Sequence, residues 1–199
     1  MTGAVKKRGP RAEGSTTRED ILEAARTTFS DTGYDRATIR RIASAARVDP
    51  ALVIHYFGNK ENLFAAAVKL PLAPEQAFEQ IFEGPPNEIG LRLARLFFGI
   101  WEIPETREAL IGQLRMALTT GRPPPMRDFL ADAILKRVEK GVELPDARLR
   151  VELAASNLVG VAVIRYVLRL EPLASTPITR LIEEIAPRIS SYLAGDPSN

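Results

Sequence analysis

Prolines at positions 71, 74, 85, 86, 104, 123 to 125, 145, 172 and 177 cut the chain beyond residue 70 into segments with apolar residues at helical spacing. Proline fixes φ and lacks a backbone donor, so it suits a helix start and is excluded from a central strand. The spacing predicts helices near 74–83, 87–102, 104–119, 125–140, 145–170 and 177–193. There is no alternating β-branched run and no Asn-Gly hairpin turn in the sequence, so no strand is expected and the fold reads as all-α. Pro187 falls inside the last segment, where it should bend that helix.

Ahead of Pro71 the capping signals are dense. Thr17 followed by Arg18, Glu19 and Asp20 resembles a helix start with its acids facing the positive end. Ile21, Leu22, Ala25, Thr28 and Phe29 then share one face, and Gly33 offers a left-handed C-terminal cap. Thr38 can cap a second helix that buries Ile39, Ile42, Ala43 and Ala46, leaving Arg40, Arg41 and Ser44 outside. Asp49 and Pro50 fix the start of a third helix, which Gly58 stops after Phe57. Val48 plugs the gap before it, and Arg47 takes the turn position that wants a left-handed backbone. Asn59 caps a fourth helix with Glu61 in its first turn and Leu63, Phe64 and Ala67 as its core face. Two short helices across a tight turn, behind a capped first helix, make a helix-turn-helix.

Charge separates along the chain in the same way. Residues 1–70 carry 12 Lys/Arg against 8 Asp/Glu, and the remainder carries 15 against 17. Lys6, Lys7, Arg8 and Arg11 come with no acid among them, so residues 1–16 read as a flexible basic arm suited to a polyanion. In that setting Arg40 and Arg41 read as phosphate or base contacts. The absence of cysteine excludes disulfides and thiolate metal sites, and the single histidine, His55, removes most histidine-based metal and acid–base designs. No cofactor or metal is expected, and no nucleophile–base set appears, so an enzyme is not expected. The basic N-terminus has no apolar run behind it, and residues 158–168 are too short to span a bilayer. A cytoplasmic protein without a membrane partner is expected.

The order A-T-I-R-R-I-A, a short turn, then D-P-A-L-V-I-H-Y-F-G-N-K-E-N-L-F resembles the TetR/AcrR family of transcriptional regulators. The motif covers about residues 17–64; beyond it the likeness is one of architecture. The resemblance implies a helix-turn-helix DNA-binding domain at 17–70 and a helical dimerisation and effector-binding domain at 71–199. It further implies a homodimeric repressor that leaves a palindromic double-stranded DNA operator when a small apolar effector binds.

By the same resemblance, Thr38 binds phosphate, Arg40 presents a guanidinium to a base, and Ala51, Leu52 and His55 face the groove. Tyr56 and Lys60 would clamp phosphates, and Lys7 and Arg8 would enter the minor groove or track phosphates. Three positions depart from the family pattern: Ile54 stands for Tyr, Arg47 for a turn Gly, and Asp49 for Ser or Thr. The last places a carboxylate close to backbone phosphates, so Asp49 is read as a cap rather than a contact.

In the remainder, Phe97, Phe98, Trp101, Met116 and Phe129 are either simple core or the lining of an effector pocket. Arg115, Asn157 and Arg165, on otherwise apolar helices, suit a pocket or interface salt bridges equally well. A dimer seam from the last two long helices would use Leu153, Leu158, Val161, Ile164 and Leu168, together with Ile182, Ile185 and Ile189. A dimeric DNA-binding regulator or architectural protein without an effector is the competing reading.

Overall fold

The computed structural model describes residues 15–71, 73–120 and 125–195, and the described residues contain helices and no strand. The first four helices form a head: α1 (Ser15–Arg36), α2 (Ile39–Ala46), α3 (Pro50–Phe57) and α4 (Lys60–Ala67). The body follows with α5 (Pro74–Phe82), α6 (Ile89–Glu102), α7 (Pro104–Thr120), α8 (residues 125–140), α9 (Ala147–Leu168) and α10 (Ile178–Ala194). Proline occupies the first position of α3, α5, α7 and α8, where its missing N–H has no intrahelical partner to lose.

Three local features differ from expectation. The first helix begins at Ser15, so Thr17 lies inside its first turn instead of capping it. Gly33 has φ 79° but ψ 167°: it breaks α1 as expected, with an extended rather than a left-handed helical backbone. Both α8 and α9 contain a π-helical stretch, at Leu130–Leu135 and Val163–Leu168. A π stretch leaves composition and apolar spacing almost unchanged, so periodicity does not announce it.

Head and body do not part cleanly at residue 70. Lys69 adopts φ 60° and Pro71 follows, which ends α4 and turns the chain. Yet the core of the head (Ile21, Phe29, Tyr34, Ile42, Val53, Leu63 and Phe64) also contains Met126, Phe129 and Ala133 from α8. The Phe129 ring lies 4.7 Å from Phe64 and 5.7 Å from Tyr34, centroid to centroid. The Arg137 guanidinium, about two turns beyond Phe129 along α8, donates to Glu61 at 2.6 Å and Glu75 at 3.4 Å. The buried Thr106 hydroxyl donates to the Lys69 carbonyl at 2.7 Å, fastening α7 to the end of α4.

The body has its own core, where Ala94, Phe98 and Trp101 of α6 meet Val151, Ala154 and Leu158 of α9 and Ile182, Ile189 and Leu193 of α10. Gly90 lets α6 and α10 come together. A Cβ there would lie 2.2 Å from the Ala186 carbonyl oxygen and 2.6 Å from the Ser190 nitrogen. The Gly90 N–H donates to the Ser190 hydroxyl at 3.0 Å, and that hydroxyl donates to the Asn87 carbonyl at 2.8 Å. Pro187 lies within α10 on its exposed side.

The outer face of α9 is apolar and uncovered: Leu149 and Leu168 are each 56% exposed, and Leu153, Val159 and Val167 also face out. As one continuous 22-residue helix, α9 is long and apolar enough to cross a membrane by length and composition, which residues 158–168 alone are not. Only 22% of its most apolar stretch is buried.

Candidate nucleic-acid interface

The two short helices of the head are fixed by their inner faces and capped at both ends. The Thr38 hydroxyl accepts the Arg41 N–H at 3.2 Å, and Ile42 and Ala43 are fully buried. Arg47 closes α2 with φ 58° and ψ 42°, its N–H donating to the Ser44 carbonyl, while the Val48 N–H donates to the Ala43 carbonyl. A non-glycine residue held in that conformation costs about 1–2 kcal/mol, offset here by the capping bonds. The Asp49 carboxylate accepts the Ala51 N–H at 2.7 Å, so it acts as the cap expected of it. Val53 and Phe57, four apart on α3, are buried, and the Arg18 guanidinium lies 5.2 Å from the Phe57 ring.

With those faces inside, helical geometry decides what points out. Arg40 and Arg41 on α2 and Ala51, Ile54 and His55 on α3 are exposed, whereas Leu52 and Tyr56 are half-buried. The Tyr56 ring meets His55 edge-on at 5.6 Å and Phe57 at 6.2 Å. Ile54 is 45% exposed and stands on the outward face with Ala51 and His55. Where a tyrosine would offer a hydroxyl, this apolar side chain can meet a thymine methyl.

Lys60 has a different setting from an open phosphate clamp. Its ammonium donates to the Tyr34 carbonyl at 3.0 Å and lies 4.2 Å from the Tyr34 ring centroid. It therefore ties the start of α4 to the end of α1, and a phosphate contact would use its remaining donor capacity. Burial, with Glu61 and Asp132 nearby, holds the Tyr34 phenol well above its ordinary range. Lys7 and Arg8 lie outside the described residues.

Residues 21–67 match the family described as bacterial regulatory proteins, tetR family, and residues 87–193 match the tetracyclin repressor-like C-terminal domain. The chain belongs to the TetR family. This TetR-family regulator is 30% identical over 133 residues to the HTH-type transcriptional repressor AcnR of Corynebacterium glutamicum, a match that covers 63% of the chain and 66% of AcnR. It is 36% identical over 85 residues to the HTH-type transcriptional regulator RutR of Escherichia coli K12, over 40% of each chain. A solved TetR-family regulator from Streptomyces coelicolor A3 shares 35% identity, with a TM-score of 0.57 over 94% of this chain and 99% of that one.

The residues read as pocket lining are not gathered in this TetR-family body. Phe98 and Trp101 are buried in the body core with Phe97 against them, whereas Phe129 belongs to the core of the head. Arg115 is exposed, and the Asn157 amide donates to the Leu153 carbonyl of its own helix at 3.1 Å. The side chain of Met116 lies outside the described residues. Two clefts, of about 420 and about 500 Å3, are lined by other residues.

Of the seam residues, Leu158, Ile182 and Ile189 are buried inside the protomer, and Val161, Ile164 and Ile185 are half-buried. Leu153 and Leu168 do face out. Leu149, Val159, Val167 and Leu170, not anticipated from sequence, join them on the outside. Arg165 donates to the Leu173 and Thr176 carbonyls at 2.8 and 2.7 Å, so it fastens the loop after α9 and lines no cleft described here.

Proposed function

We propose that this chain is a cytoplasmic, homodimeric repressor that binds a palindromic operator and releases it when a small apolar molecule binds. The observation that carries this is the outward face of α2 and α3. Arg40, Ala51, Ile54 and His55 are presented on helices whose inner faces and caps leave them little freedom. Arg40 and Arg41 supply cations, and Ala51 and Ile54 supply apolar groups, the mixture that reads base edges in a major groove. The exposed apolar face of α9 needs cover, and in a DNA-binding regulator a second copy supplies it more readily than a lipid bilayer does.

The test is selection of a binding sequence from random DNA, followed by footprinting and sedimentation. A two-fold symmetric footprint with half-sites about 34–36 Å apart, or a multiple of that, bound by a dimer is the expected result. A monomer that protects one asymmetric site would overturn the reading. The packed state of Phe98, Trp101 and Phe129 favours a second reading, a dimeric regulator without an effector. Thermal unfolding against a metabolite panel separates the two, because a ligand at a hundred times its Kd stabilises by about 2.7 kcal/mol.

A further inference from the structure

The outward side of α3 is short of hydrogen-bonding groups. Its exposed side chains are Ala51, Ile54 and His55, and of these only the imidazole can donate or accept. The Ala51 N–H is itself spent on the Asp49 carboxylate at 2.7 Å, so Ala51 offers its methyl alone. Among the described residues, Ile54 is the one large apolar side chain that the head leaves exposed; the others belong to α8, α9 and the loop behind α9.

Helical geometry makes Ala51 and Ile54 a single surface. They stand three apart, about 4.5 Å along the axis, with Cβ atoms about 5–6 Å from one another. Val53 and Phe57 anchor the opposite side of α3 in the core, so the helix cannot roll this surface away. A β-branched side chain in a helix keeps essentially one χ1 rotamer, so Ile54 has little freedom to lose when something is laid against it. The short Ala51 beside the longer Ile54 leaves a shallow apolar step.

The chemistry of the major groove narrows what can fill that step. Base edges there are donors and acceptors except at one group, the C5 methyl of thymine. Isoleucine laid over N7, O6 or an exocyclic amine strips water from a polar atom and returns no hydrogen bond. Laid over a methyl, it buries apolar surface on both partners.

We infer that Ala51 and Ile54 form a receptor for the 5-methyl group of a pyrimidine, so that α3 selects a thymine in each half of the operator by its methyl. A 5-methylcytosine satisfies the same contact where cytosine does not. The inference rests on the sequence-specific reading proposed above and deepens it by naming the group that is read.

The full-length protein and Ile54→Ala, its folding checked by thermal unfolding, should be compared by fluorescence anisotropy on the operator selected from random DNA. Each thymine in turn is replaced in both half-sites by deoxyuridine, which lacks the methyl and keeps the O4 acceptor and the pairing edge. The sensitive position is then rebuilt with cytosine and with 5-methylcytosine opposite guanine. The expected result is a thymine at which deoxyuridine weakens binding about fourfold per methyl, or about fifteenfold for the two half-sites together. At that position 5-methylcytosine should bind more tightly than cytosine by a similar factor. In Ile54→Ala both differences should shrink to less than about twofold, because the methyl and the side chain act as a coupled pair. If a specific operator emerges and no methyl effect depends on Ile54, the receptor is overturned while sequence-specific reading stands. If no sequence is selected at all, both are overturned.

Discussion

Arg40 and Lys60 are both cations of the head, yet the structure employs them differently. Arg40 projects from the exposed side of α2, so Arg40→Ala should cost about 1–3 kcal/mol on the selected operator and much less on random DNA. Equal losses on both, measured by fluorescence anisotropy, would remove it from base reading. Lys60 caps the carbonyl end of α1 and sits over the Tyr34 ring, so Lys60→Met should lower stability by about 1–2 kcal/mol even without DNA. Urea unfolding measures that directly, and an unchanged midpoint would return Lys60 to a purely DNA-facing part. Arg40 could be placed from periodicity alone because its surroundings are its own helix. Lys60 could not, because its partners lie 25 and 26 residues earlier, and spacing says nothing about a contact across elements.

At the level of elements, the prolines and caps carried almost all the information. The observed helices begin and end within two or three residues of the expected ones, because Pro, Asp49, Asn59 and Gly58 act through local backbone constraints. Contact between elements is less legible, and Gly90 and Gly99 make the point. Both sit in α6 and look alike in sequence. Gly90→Ala must push against the Ala186 backbone and should destabilise by about 1–3 kcal/mol. Gly99→Ala enters open space and should stabilise by about 0.5–1 kcal/mol through helix propensity. Thermal unfolding of the pair should move in opposite directions, and movement in the same direction would contradict the close approach of α6 and α10. The end of α9 adds a titration. The Tyr166 hydroxyl donates to Glu102 at 2.5 Å and its ring stacks on Trp101, and burial together with that bond pushes its pKa up to about 12. A phenol raised in the folded state contributes stability that is complete below its ordinary pKa near 10 and is lost as pH climbs towards 12. Stability of the wild type should therefore fall across that window, and Tyr166→Phe should flatten the fall. A parallel decline in the variant would assign the alkaline loss to other groups.

The whole molecule is held together across the boundary that the sequence suggests. A helix-turn-helix ending near residue 70 is plain from its caps, but the partner that completes its core lies some sixty residues on, in α8. Periodicity shows that Phe129 faces inward without showing which interior it enters. Met126, Phe129 and Ala133 fill the head, and Arg137 holds Glu61 and Glu75 beside them. Residues 15–71 expressed alone should accordingly lack a cooperative unfolding transition, which calorimetry would detect. A sharp transition in that fragment would show the head to be self-sufficient.

The packing of Phe129 against both Tyr34 and Phe64 also bears on how such a chain can be recombined. A reading head transplanted at residue 70 onto another body would arrive with an aromatic socket and nothing to fill it. The exchangeable unit is discontinuous, made of residues 15–71 together with residues 126–133, and a chimaera that moves one without the other separates two halves of a single core.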